Sequence, residues 1–200
     1  MYKRQKNLVG GLALISFTVV GGIANSASCP KSGGILKYGV KAEPPTYDMH
    51  GTNSYAVMHF VAQHYSTLLT FDWNKFPKLE GDVADSWNVS SDGLTYTFKI
   101  KKGIKFHDGT PLTSKDVKAT YDRLRNPPEG VISVRKALFS SISGITTPDD
   151  NTVVFKLSSP DAFMLDGFAS PFNAIYSAKD IAKDPKLSLI HISEPTRLSA

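Results

Sequence analysis

Apolar and polar side chains alternate along two neighbouring runs between residues 83 and 106, and this pattern constrains the fold more than any other feature of the chain. Strict alternation is typical of strands with one buried face. The apolar positions are Trp87, Val89, Leu94, Tyr96, Phe98 and Ile100. Because Ser91-Asp92-Gly93 separates the two runs, the segment predicts an antiparallel hairpin with a short glycine-containing turn.

Helices are predicted on either side of this hairpin. Apolar residues recur at helical spacing from Ser54 to about Leu69, and Thr52 or Asn53 is expected to cap that helix. A second helix is expected to run through Leu124 from a capping box formed by Thr113 and Asp116. Asn126-Pro127-Pro128 is expected to end it.

Further strands and turns complete the pattern. A strand is expected at 33–40, and two more at 142–146 and 152–157 form a hairpin-like pair. A short apolar segment at 162–168 follows, and Ser177 is expected to cap one more turn. Since strands and helices are interleaved without a strict βαβ rhythm, the fold class is α/β in the broad sense, mixed α+β.

Composition excludes several classes of protein. Hydrophobic residues make up 41% of 200, enough for a packed core, and the single cysteine, Cys29, excludes a disulfide-stapled mini-domain. The net charge is +5, but the basic residues of the two chain ends account for most of the excess. Because no basic cluster remains in the middle of the chain, nucleic acid is not expected as a partner.

The N-terminal region reads as a secretory signal peptide over 1–28. Residues 8–23 carry no charge, follow Lys6, and give way to small residues before Cys29. Cleavage there predicts export, and Cys29 leaves open a lipid-modified N-terminus, although the preceding Ser26-Ala27-Ser28 fits a lipobox poorly. The alternative is a buried core helix.

The extreme ends resemble translated sequencing adapter. Leu187 to Arg197 reads LSLIHISEPTR, and residues 1–5 read MYKRQ, which correspond to opposite strands of one adapter sequence. We therefore expect 1–5 and 187–200 to be artefact and the gene to continue beyond both, the alternative being a genuine polar tail.

Residues suited to catalysis do not form a recognisable motif. His59 and His64 are five apart, unlike the i, i+4 spacing of a zinc-binding helix, so no metal site is expected. His107-Asp108-Gly109 is expected to be a structural turn. No nucleophile elbow, phosphate-binding loop or dinucleotide fingerprint is present, so no catalytic residue, cofactor or enzymatic activity is predicted.

The longest specific signal is a resemblance to a family. Residues 83–124, VADSWNVSSDGLTYTFKIKKGIKFHDGTPLTSKDVKATYDRL, closely resemble the signature segment of the family 5 extracellular solute-binding proteins, receptors of ABC importers. Residues 33–48, 147–157 and 169–175 are similar to that family in the same order. The resemblance implies a periplasmic-binding-protein-like fold of type II with two lobes and a smaller subdomain inserted in the first lobe.

By this resemblance the chain is an incomplete first lobe. It begins at 29–70, continues through the inserted subdomain at 71–157 and returns at 158–186, while the second lobe is missing. Ligand is expected to meet loops at strand ends. The expected lining residues are Tyr47, Met49, His50, Asn53 and Asn173, each with an alternative role in loop packing, capping or a solvated loop.

The resemblance implies a periplasmic receptor that captures a peptide or similar small solute and delivers it to an ABC permease. It is expected to be a monomer when complete and to lack a cofactor. Two alternatives remain: a secreted sensor or chaperone-like binder of the same fold, and a secreted hydrolase, which is disfavoured because these residues supply no nucleophile and base. The fragment alone is expected to bind solute weakly and to be marginally stable.

Overall fold

The computed structural model describes residues 39–187. The expected signal peptide, Cys29, most of the expected strand at 33–40 and nearly all of the expected adapter tail lie outside these residues. The described strands are β1 (Leu69–Phe71), β2 (Leu79–Gly81), β3 (Ala84–Val89), β4 (Thr95–Ile100), β5 (Ile142–Asp149) and β6 (Thr152–Leu157). The described α-helices are α1 (Tyr55–Val61), α2 (Ser114–Arg125), α3 (Met164–Ala169) and α4 (Ala178–Lys183).

Four of the strands form one antiparallel sheet in the order β3-β4-β6-β5. The expected hairpin is confirmed as β3 and β4, with Trp87 opposite Phe98. Gly93 adopts φ 70° in the turn between them, a left-handed conformation that favours glycine. The second expected hairpin is confirmed as β5 and β6, although β5 extends to Asp149, three residues beyond the predicted end.

A separate two-stranded hairpin, β1 and β2, precedes this sheet. The backbone of Ala84 passes close to the end of this hairpin at Gly81. A Cβ atom at position 81 would lie 2.1 Å from the Ala84 carbonyl oxygen, a separation that only glycine permits. Trp73 lies in the loop that connects β1 to β2, with 88% of its surface exposed. β1 also spans the expected boundary between residues 70 and 71.

The first helix is shorter than predicted. Helix α1 ends at Val61 rather than near Leu69, and Ser54 caps it by accepting a hydrogen bond from the Ala56 N–H at 3.3 Å. The prediction of Thr52 or Asn53 as the cap was therefore wrong. Leu69 continued the helical spacing, but its fully buried side chain belongs to β1 and to the packing around the sheet.

The second helix agrees with its prediction. Asp116 accepts hydrogen bonds from the Thr113 N–H at 2.8 Å and the Thr113 hydroxyl at 3.0 Å, so the carboxylate of the capping box reaches back as expected. Asn126 ends the helix before the two prolines. Val117, Tyr121 and Leu124 are fully buried, and they point the apolar stripe of α2 at the sheet.

We call the apolar packing between the sheet, α2 and α3 the sheet core. Its centre is aromatic: the Tyr121 ring lies 5.2 Å from Phe155, 5.2 Å from Phe139 and 5.3 Å from Phe168 in edge-to-face contacts. Such contacts add about 0.5–1.5 kcal/mol each beyond the burial of area. The remaining fully buried large members are Leu68, Leu69, Phe98, Leu124 and Met164.

The chain then returns past the sheet towards its first loop. The expected apolar segment at 162–168 overlaps α3, which extends to Ala169, and Ser177 caps α4 by accepting from the Asp180 N–H at 3.3 Å, as predicted. Between the two lies a 3-10 turn, Pro171–Asn173. Among residues 39–187, no helix has the length and apolarity needed to cross a membrane.

Candidate functional site

The first candidate loop, residues 47–53, contains a single 3-10 turn. Asp48 begins this turn, Met49–Gly51, by accepting a hydrogen bond from the His50 N–H at 3.1 Å. Asp48, Met49 and His50 have almost no exposed surface. A loop whose polar residues are buried must find internal partners for them, because an unpaired buried polar group costs about 1–3 kcal/mol.

Those partners come from a polar stripe on α2. Asp116, Thr120 and Arg123 lie at positions i, i+4 and i+7, directly beside the apolar stripe, and all three are buried. Asp116 accepts from the Ala178 N–H at 2.9 Å. Thr120 accepts from the Tyr176 N–H at 3.0 Å. One face of α2 thus fastens the segment after the second 3-10 turn.

Arg123 fastens the first loop in the same way. Its guanidinium donates to both carboxylate oxygens of Asp48, at 2.7 and 3.2 Å, and to Nδ1 of His50 at 2.8 Å. The Tyr176 hydroxyl accepts from the Met49 N–H at 3.0 Å, and its ring centroid lies 4.5 Å from that of His50. We call Asp48, Met49, His50, Arg123 and Tyr176 the loop cluster.

Burial sets the protonation states of this cluster. It lowers the pKa of His50 from 6.5 to about 4, with Arg123 acting in the same direction and Asp48 opposing it. Burial also raises the pKa of the Tyr176 hydroxyl well above its usual value. At neutral pH the imidazole of His50 and the phenol of Tyr176 are therefore both neutral.

The structure brings the two predicted loops together but gives their residues different exposures. His50 donates from Nε2 to the Ala174 carbonyl at 2.9 Å, and Asn173 donates from Nδ2 to the Gly167 carbonyl at 2.7 Å. Met49, His50 and Asn173 are fully buried, Tyr47 is partly buried against Phe60, and Asn53 is exposed. In this conformation the three buried residues support the loops, and ligand contact by any of the five stays a prediction.

An exposed aromatic surface adjoins Asn53. The Arg135 guanidinium lies 4.4 Å from the centroid of the Phe172 ring and donates to the Thr52 carbonyl at 3.2 Å. The Tyr55 ring, 74% exposed, meets the edge of Phe172 at a centroid distance of 6.3 Å. We call Tyr55, Arg135 and Phe172 the aromatic–arginine surface.

This surface has the chemistry of a binding site. Aromatic faces contact apolar or planar groups, a guanidinium recognises carboxylates, and an exposed amide such as that of Asn53 both donates and accepts. Burial lowers the pKa of Arg135, but a guanidinium remains charged at neutral pH. Within residues 39–187, no group of three or more His, Cys, Asp or Glu is placed to hold a metal ion.

The sequence reasoning missed Asp48, Arg123, Tyr55, Arg135 and Phe172. A signal for Arg123 was present, since Asp116, Thr120 and Arg123 repeat at helical spacing beside an apolar stripe of the same period. Such a double stripe indicates a helix buried on two faces. No comparable signal marks Arg135 or Phe172, because their partners lie far away in sequence.

Comparison with known proteins agrees with this architecture. Residues 78–192 match the family described as bacterial extracellular solute-binding proteins, family 5 Middle. An ABC transporter peptide-binding protein of Brucella ovis is 37% identical over 165 residues, which cover 82% of this chain and 30% of the relative. The glutathione-binding protein GsiB of Pectobacterium atrosepticum is 40% identical over 101 residues, covering 50% of this chain and 19% of the relative.

Solved structures give the same result. The periplasmic binding protein AgaA of A. tumefacien R10, in complex with agropinic acid, is 34% identical with a TM-score of 0.66, covering 72% of this chain and 28% of that one. The periplasmic binding protein DppA of Helicobacter pylori, in complex with a peptide, is 25% identical with a TM-score of 0.65, covering 74% of this chain and 32% of that one.

These matches confirm the predicted periplasmic-binding-protein-like mixture of helices and strands. The chain spans about 30% of the length of the first curated relatives it matches. With more than half of its residues matched by one family, this chain belongs to the family 5 bacterial extracellular solute-binding proteins.

Proposed function

We propose that this chain is part of an extracytoplasmic receptor that captures a peptide or a similar small solute and delivers it to an ABC importer. The observation that carries the proposal is the 37% identity over 165 residues to an ABC transporter peptide-binding protein. The receptor is periplasmic, acts as a monomer, needs no cofactor and makes or breaks no bond. Cys29 is the site at which a lipid anchor would be attached.

The aromatic–arginine surface is the part of the chain best suited to meet the solute. Tyr55 and Phe172 offer apolar faces, and Arg135 offers a positive charge whose position is fixed by the Thr52 carbonyl. A carboxylate of a peptide or opine pairs with such a group. Asn53 lies two residues before Tyr55, and Tyr47 packs against Phe60, whereas the buried Met49, His50 and Asn173 support the loops.

The division of the chain into lobes follows from the same proposal. Residues 29–70 and 158–186 form one wall of the cleft, and 71–157 form the smaller subdomain. The loop cluster joins 48–50 to 174–176 within this wall, and its Arg123 links the wall to α2 of the smaller subdomain. A cleft needs a second wall, so the part of the protein beyond this chain completes the site.

The test is solute binding by the full-length protein that contains this chain. Ligand carried through purification is released by denaturation and identified by mass spectrometry, and candidate peptides, glutathione and opines are titrated by calorimetry. We expect one solute class to bind with 1:1 stoichiometry and to be recovered unchanged, and we expect the 200-residue chain to bind it at least about 100-fold more weakly. Failure to bind any of these solutes, or their chemical conversion, would contradict the proposal.

A further inference from the structure

The Arg123 side chain links α2 to two other segments of the chain. It pairs with Asp48 and His50 in the first loop, and its Nε donates to the Pro185 carbonyl at 3.0 Å beyond α4. The guanidinium is 1% exposed and the Asp48 carboxylate 8% exposed. An ion pair this deeply buried holds its two segments in one arrangement, because separation would leave each charge buried without a partner.

The hydrogen bonds of His50 assign its tautomer. Nε2 lies 2.9 Å from the Ala174 carbonyl, which only accepts, so Nε2 carries the proton. Nδ1 lies 2.8 Å from Nη1 of Arg123, which only donates, so Nδ1 is an unprotonated acceptor. The contact between Arg123 and His50 therefore exists only while the imidazole is neutral.

Burial and the two arginines near His50 oppose a second proton on the ring, whereas Asp48 favours one. Asp48 faces the ring from the same loop, Arg123 from α2, Arg135 from the segment after α2, and Tyr176 from the segment before α4. Two of these groups are cations, one is an anion and one is a neutral phenol. A proton on Nδ1 would put two donors face to face and add a third positive charge to a dry site.

We propose that Arg123 is a positioning residue that holds the loop 48–53 through Asp48 and neutral His50, and that protonation of His50 releases this loop. The release frees Gly51, Thr52 and Asn53 beside the aromatic–arginine surface. The role of the loop in solute contact rests on the proposed function, but the holding and release of the loop do not.

The size of the effect follows from proton linkage. Burial holds the pKa of His50 near 4 while the loop is closed, and an open, solvated histidine has a pKa of 6.5. The opening equilibrium constant therefore increases about tenfold for each pH unit by which the pH falls from about 6.5 towards about 4. Above about pH 7.5 it is nearly independent of pH.

Hydrogen–deuterium exchange of the 200-residue chain tests this directly. The reporters are the amides of Met49, His50, Gly51 and Val134, which donate within the loop cluster or to its backbone. After correction for intrinsic exchange, we expect loop opening to increase about 30-fold from pH 8 to pH 5.0. Amides of β4 and β6 serve as the internal reference for the sheet core.

Substitution identifies the titrating group. His50→Gln removes the proton-binding site, and we expect it to reduce the 30-fold change to less than about threefold. The matched control, His59→Gln on the exposed face of α1, should keep the full change. Arg123→Lys, which cannot make the same set of bonds, should raise loop opening at every pH and lower the dependence on pH.

Two outcomes would overturn the proposal. One is an equal pH dependence in wild type and His50→Gln. The other, which needs no variant, is a nitrogen-15 spectrum in which His50 titrates near pH 6.5 in the folded chain or carries its proton on Nδ1. Neither outcome depends on solute, so a failure here is distinct from a failure of the proposed binding function.

Discussion

The sheet core and the loop cluster contact neighbouring stripes of α2, and different forces hold each of them together. Val117, Tyr121 and Leu124 face aromatic and aliphatic side chains of the sheet. Asp116, Thr120 and Arg123 face backbone groups, a carboxylate and an imidazole. In an apolar core, the loss of stability grows with the volume of side chain that a substitution removes. In a buried polar network, removal of one partner leaves the others without hydrogen bonds. The same helix therefore packs against the sheet with one stripe and holds the loop 48–53 with the other.

The largest expected effect is on the sheet core. Phe98→Ala removes a fully buried ring that lies 5.0 Å from Phe168 and 5.7 Å from Phe155, and we expect it to lower the free energy of unfolding by about 3–5 kcal/mol. Urea denaturation followed by circular dichroism measures this loss. Trp73→Ala, at a surface position, should stay within about 0.5 kcal/mol. Similar losses for the two variants would refute the assignment of the core.

The second effect breaks the loop cluster. Arg123→Ala leaves the buried Asp48 carboxylate without its partner, and we expect a loss of about 3 kcal/mol together with preferential loss of amide protection in 48–53. Lys118→Ala provides the matched control on the same helix, because Lys118 pairs with Asp122 near the surface and should cost less than about 0.5 kcal/mol. Uniform loss of protection across β4, β6 and the loop would contradict a separate polar unit.

A pair of buried tyrosines sharpens the comparison. Tyr176→Phe removes the acceptor for the Met49 N–H and should cost about 1–2 kcal/mol. Tyr121→Phe should be neutral or stabilising, because among the described residues the Tyr121 hydroxyl is buried without a hydrogen-bond partner. Thermal unfolding of both variants at pH 7 gives the answer. The reverse order of stabilities would show that the two regions are wrongly described.

The smallest expected effect concerns solute. In the full-length protein, Tyr55→Ala should weaken binding by about fivefold, equivalent to about 1 kcal/mol, with little change in Tm because the ring is largely exposed. Calorimetric titration measures the change. Phe76→Ala, an equally exposed aromatic in the β1–β2 loop, is the control and should bind solute as wild type does. Equal weakening by both variants would show that the aromatic–arginine surface is not the site of solute binding.

The sheet core was largely predictable from sequence, and the loop cluster was not. Alternation around Phe98 and the capping box at Thr113 are local signals, so β3, β4 and α2 were found. The end of α1 was missed because Leu69 kept helical spacing while it joined another layer of the fold. Spacing reports that a residue is buried, but it does not report which core buries it.

The burial of His50 illustrates the remaining difficulty. A histidine in a loop rich in polar residues is expected at the surface, and its partner Arg123 lies 73 residues later in the chain. Only the polar stripe on α2 indicated that such partners were needed. The aromatic–arginine surface likewise combines residues 55, 135 and 172, whose proximity comes from the packing of three separate segments.

The most direct test of the binding site is chemical-shift mapping on isotope-labelled full-length protein, titrated with the solute recovered from it. We expect the largest changes at Asn53, Tyr55, Arg135 and Phe172, with smaller changes at the loop amides behind them. Changes confined to the β1–β2 loop around Trp73, or no changes within residues 39–187, would show that this chain does not form a wall of the solute-binding cleft.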